Sequence, residues 1–107
     1  MGGNPSRIDW YNRYMATYHE LVTLSDSAAT ELTPGARHSG LDLTVQNVDD
    51  TAIVYIGGEG VTASDYGFKL TPGAGFSIEL NPNDRLYAIS DTADSEAALL
   101  RALLEDI

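Results

Sequence analysis

The chain has 107 residues, the size of a single domain with one hydrophobic core, and 43% of them are hydrophobic. Its 16 Asp and Glu against 6 Lys and Arg leave a formal net charge of −10. That balance excludes non-specific binding to nucleic acid or to an anionic membrane, because no basic patch can gather. Cysteine is absent, which removes disulfides, thiolate nucleophiles and thiolate metal sites together.

Residues 1–20 hold Trp10, Tyr11, Tyr14 and Tyr18 among charged residues, with no continuous apolar segment. No signal peptide is expected there, and no run approaches the length of a bilayer span. Asn4-Pro5 suits a helix start, with Asn4 as N-cap and Pro5 at the first helical position. Ile8, Tyr11, Met15 and Tyr18 then fall at helical spacing, with Trp10 and Tyr14 as a neighbouring row. Residues 5–18 therefore read as a short amphipathic helix or ordered arm, and residues 1–19 as a unit apart from a domain over 20–107. The aromatic stripe suits either core packing or a neighbouring subunit. Arg7, Trp10, Tyr11, Arg13, Tyr14 and Tyr18 are the candidate interface residues, since aromatic and Arg side chains are typical interface anchors.

From Glu20 the period changes. Residues 20–24 read as a first strand, and Ser25 to Gly40 as a polar connection with a turn at Thr33-Pro34-Gly35. Leu41, Leu43 and Val45 alternate with Asp42, Thr44 and Gln46, the signature of a half-buried strand. A turn over residues 47–50 precedes the β-branched run Thr51 to Ile56, which Gly57, Gly58 and Gly60 break by permitting positive φ. Phe68 and Leu70 lead to Pro72-Gly73, suited to the centre of a type II turn. Phe76, Ile78 and Leu80 alternate with Ser77 and Glu79; a turn follows over residues 81–84, then a short apolar strand from Leu86 to Ile89. Residues 95–104, rich in Ala, Leu and Glu behind Ser95, are helical by propensity and equally able to close a sheet. Closely spaced strands with intervening turns predict a mainly β fold, an antiparallel β-sandwich of jelly-roll type behind a short N-terminal helix or arm.

The block from Leu41 to Ile89 resembles small structural proteins of tailed bacteriophages. The shared pieces are Gln46-Asn47, then Val54-Tyr55-Ile56-Gly57-Gly58, then Gly67-Phe68-Lys69-Leu70-Thr71-Pro72-Gly73. Phe76 to Leu80 and Leu86-Tyr87-Ala88-Ile89-Ser90 complete them. The resemblance implies a β-sandwich in a virion, such as a capsid decoration, head-fibre or connector-associated protein. Its implied partners are the major capsid protein or another virion protein and further copies of itself, with a trimer favoured.

Little in the chain points to catalysis. The histidines are His19, beside the arm, and His38, in a polar connection; no Gly-x-Ser-x-Gly elbow and no phosphate-cradling loop ending in Lys-Ser or Lys-Thr occurs. Asp49-Asp50 and the group Asp91, Asp94 and Glu96 lack EF-hand spacing and read first as solvated turn acids. No cofactor, metal or catalytic residue is expected. The expected function is a non-enzymatic virion protein that binds the capsid exterior. A connector, tail or fibre position is the first alternative; a carbohydrate-binding sandwich with Tyr55, Tyr66 and Tyr87 as a stacking platform is the second.

Overall fold

A computed structural model describes residues 15–33 and 40–104. They form eight strands: β1 (Met15–Leu24), β2 (Thr30–Glu31), β3 (Leu41–Asn47), β4 (Val54–Gly57), β5 (Phe68–Leu70), β6 (Gly75–Leu80), β7 (Tyr87–Ser90) and β8 (Ser95–Leu104). The strands divide into two four-stranded sheets, ordered β1-β8-β3-β6 and β2-β7-β4-β5, with every pairing antiparallel. The chain crosses between sheets at nearly every connection, the order of a jelly roll. The β-sandwich expected from the spacing of strands and turns is the fold observed.

Alternation places the core. Leu41, Leu43 and Val45 of β3 are buried while Asp42 and Gln46 are exposed. They meet Val54 and Ile56 of β4, Leu70 of β5 and Ala88 of β7 from the opposite sheet. Each fully buried Leu or Ile contributes roughly 1.5–3 kcal/mol over its exposed state.

Residues 95–104 are strand, not helix. β8 lies between β1 and β3, so both edges of its backbone are hydrogen-bonded. Its side chains alternate too: Ala97 and Leu99 are buried, while Glu96 and Leu100 are exposed. Ser95 caps no helix. Its hydroxyl donates to Thr92 O at 2.7 Å and accepts from Ser90 Oγ at 3.0 Å, tying the β7–β8 turn.

Three other expectations need correction. Residues 15–18, read as helix, belong to β1, whose pairing with β8 starts at Met15↔Leu104. The sandwich therefore begins at least five residues before the start expected at residue 20, because the main-chain ladder that β1 forms with β8 along one side outweighs the helical spacing of Met15 and Tyr18. The remainder of the arm, with Arg7, Trp10, Tyr11, Arg13 and Tyr14, lies outside the described residues. The polar connection contains β2, too short at two residues to carry any periodicity. Gly57, Gly58 and Gly60 do not use positive φ; among the described glycines only Gly40 and Gly73 do.

Gly73 behaves as the type II turn demands. Its φ is 82°, and Ala74 N–H donates to Thr71 O at 2.9 Å across the turn. Two residues on, Gly75 opposes β3 so closely that a Cβ would sit 2.9 Å from Val45 O. Backbone on the receiving side cannot swing away as a side chain can. Gly75→Ala is expected to cost about 1–3 kcal/mol in urea unfolding, the usual penalty of overpacking.

Candidate interaction surfaces

One buried side chain organises the end of the sandwich that carries the β3–β4 turn. Asn47 has no exposed surface. Its amide donates to Ala52 O at 2.8 Å and Leu70 O at 3.0 Å, and its Oδ1 accepts from Asp49 N at 3.0 Å. Its backbone N–H donates to Ala74 O and its carbonyl accepts from Gly73 N. Asn47 thus joins β3, the turn after it, the end of β5 and the Pro72-Gly73 turn.

Of the acids read as turn residues, Asp49 and Asp91 cap backbone amides, while Glu96 lies in β8. Asp49 Oδ1 accepts from Thr51 N and Ala52 N, both at 3.0 Å, an Asx turn. Asp91 Oδ1 accepts from Ile53 N at 3.0 Å. Among the described residues no group of three or more His, Asp or Glu is placed to hold a metal ion. The Thr51 and Ala52 amides hold the Asp49 carboxyl below its ordinary pKa. A folded pKa below the unfolded one means stability present above the unfolded value and lost as pH falls through the folded one. Asp49→Asn should therefore destabilise the protein more at pH 6 than at pH 3, with the difference arising below about pH 4; urea midpoints at both values test this.

Among the described residues two apolar surfaces stay uncovered. The first is β1, at the outer edge of its sheet. Residues 17–21 are exposed on both faces, with Tyr18 49% and Leu21 60% accessible. By register Tyr18 lies opposite Arg101 on the inner face, and His19 lies opposite the exposed Leu100 on the outer face. Arg101 donates to Leu32 O and to the Glu20 carboxylate at 3.0 Å. The one acid on β1 is therefore neutralised by an ion pair. Tyr18 is the only expected interface residue among those described. The second surface is a cleft of about 290 Å³ between edge strands β5 and β6, lined by Ile56, Phe68, Phe76, Ile78 and Leu86. Phe68 and Phe76 stack across its rim with ring centroids 4.9 Å apart.

On the outer face of the second sheet, Tyr55 and Tyr66 lie 4.8 Å apart between ring centroids, inclined by 50°. Tyr87, half-buried, pairs with Gly57 on the same face. His19, the one histidine among the described residues, stands exposed on β1, and no hydrogen bond joins it to an acid or hydroxyl there. Sequence patterning missed both uncovered surfaces. Each depends on which strand lies outermost, which no local pattern encodes.

No family model matches this chain, and no curated protein matches it. The described fold does have a counterpart. The chain is similar in structure to a subunit of the Bacillus endospore appendages, described as a novel family of disulfide-linked pili. The likeness has a TM-score of 0.52 at 13% sequence identity, over 86% of this chain and 88% of that one. At that identity it concerns the fold alone.

Proposed function

We propose that this chain is a non-enzymatic structural protein of a tailed-phage virion, a decoration protein that binds the major capsid protein and stabilises the shell. The observation that carries the reading is β1. Among the described residues no strand pairs with its outer edge, its two faces expose Tyr18 and Leu21, and Glu20 is neutralised. A partner strand added there would gain main-chain hydrogen bonds and cover apolar surface on both faces. On a chain of net charge −10, an edge without unpaired acids is where another protein meets the least repulsion. The sequence resemblance to phage structural proteins supplies the setting.

A connector, tail or fibre position is the second reading, favoured by the fold likeness to a pilus subunit. The covalent link named for those pili is unavailable here, since the chain has no cysteine. Any polymer of this chain would rest on edge pairing and apolar contact.

Quantitative mass spectrometry of purified virions decides between them. Copies in the hundreds support decoration, about a dozen move the protein to the connector or tail, and absence from the particle overturns both. Leu21→Lys, which places a charge on the edge strand, should lower attachment to shells about tenfold while changing stability by less than about 0.5 kcal/mol.

A further inference from the structure

The loop from Gly57 to Gly67 encloses an open pocket of about 260 Å³ whose walls include Gly57, Gly58, Gly60, Gly67, Asp65 and Tyr66. Four glycines in one small wall ask for a reason. Gly57 has a packing reason, because a Cβ there would lie 3.1 Å from the Val61 side chain. Gly58 and Gly60 have none. Neither uses positive φ, and a Cβ on either would meet nothing within 4 Å. Glycine at these two lining positions adds no side chain to the wall and leaves its backbone open to close approach.

The loop is built to hold that shape. Val61, 5% exposed, anchors it to the core, and its N–H donates to Gly58 O at 3.0 Å. Thr62 and Asp65 exchange two main-chain hydrogen bonds at 2.9 and 3.3 Å, and Gly67 N–H closes the base on Ile56 O at 2.8 Å. Tyr66 rises from this frame 43% exposed, its ring supported by Tyr55. The Asp65 carboxylate makes no hydrogen bond or ion pair among the described residues, which leaves its oxygens free to accept.

We propose that this pocket binds one neutral sugar ring of a glycan. A pyranose presents an apolar C–H face and a rim of hydroxyls. The exposed Tyr66 ring suits the first, while Asp65 and the bare glycine backbone suit the second. The volume lies just below the roughly 300–1,000 Å³ of sites for drug-sized ligands, as a single ring requires. Charge narrows the class further. Asp65 lines the pocket, Glu59 belongs to the same loop, and Lys69, opposite Tyr55 in the register, does not line it. Acidic sugars and phosphates are therefore repelled. The site is separate from β1, so the virion reading and this one stand or fall independently.

The test is a two-dimensional amide NMR titration of the full chain with glucose, galactose, mannose and N-acetylglucosamine into the tens of millimolar. The expected result is saturable shifts confined to residues 57–67 with at least one sugar, at the millimolar affinity of a single-ring site. Tyr66→Ala and Gly60→Leu should each weaken that response about tenfold or more with the remaining spectrum unchanged. Gly60→Leu adds bulk to the pocket wall at a position where a Cβ meets no other atom, so it remains informative if Tyr66→Ala unfolds. No saturable shift with any of the four sugars overturns the proposal, as does an undiminished response in Gly60→Leu. A response to choline or inorganic phosphate in place of the sugars also overturns it.

Discussion

Asn47→Ala should remove about 3–5 kcal/mol of stability, a large share of the 5–15 kcal/mol that holds a domain of this kind folded. The substitution strips the donor from Ala52 O and Leu70 O and the acceptor from Asp49 N, at a residue with no exposed surface. Buried polar groups left without partners cost about 1–3 kcal/mol each, whereas the hydrogen bond itself contributes less. Two elements from different sheets lose their common tie, β3 and the end of β5. Asn47→Asp sharpens the test. It puts a carboxylate oxygen where an amide donor faced two carbonyls, so the folded state favours the protonated acid and that variant's folded pKa is raised. Its stability should be best below about pH 4 and fall as pH rises, opposite in sign to the contribution of Asp49. Urea unfolding at pH 3 and pH 7 measures both. A loss under about 1 kcal/mol in Asn47→Ala would mean that the carbonyls are served in some other way, and that Asn47 is not the tie described.

The second large effect lies at Leu43. This side chain is 0% exposed, on a strand hydrogen-bonded on both sides, opposite Ile78 of β6 and Arg101 of β8. Leu→Ala substitutions in cores cost about 2–5 kcal/mol, the upper values arising where the surroundings cannot collapse into the void. β3 is held in register by both neighbours and cannot shift toward the opposite sheet without breaking two ladders. Leu43→Ala should thus lie in the upper half of that range. Leu100→Ala is the control. It sits on the adjacent strand but 47% exposed on the outer face, and should cost less than about 1 kcal/mol. Equal losses in the two variants would contradict the assignment of inner and outer faces.

Much of the sandwich could be read one strand at a time. The alternation of Leu41, Leu43 and Val45, and of Phe76, Ile78 and Leu80, encodes a period of two that any half-buried strand must show. Pro72-Gly73 encodes its turn because only glycine takes φ of 82° there without strain. Those are local constraints, legible because they act between neighbours in sequence. The candidate sites were less legible. Tyr55, Tyr66 and Tyr87 could be named as a platform, yet nothing in their spacing says that Tyr66 reaches Tyr55 or that Gly58 and Gly60 border the same space.

By itself, then, the sequence determined an antiparallel β domain with acidic turns, one core and no thiol chemistry, because patterning, turn residues and composition act locally or in sum. The tertiary structure decided the rest. Residues 95–104 have the composition of a helix and became a central strand because β1 and β3 offer main-chain partners on both sides. Met15 to Tyr18 have helical spacing and became the start of β1 because β8 offers main-chain partners along one side. Which strand lies outermost, which glycines border a pocket and which asparagine is sealed inside all follow from contacts between residues far apart in the chain. A pairing of that kind forms only when loop closure brings both strands together, and no stretch of one strand carries it.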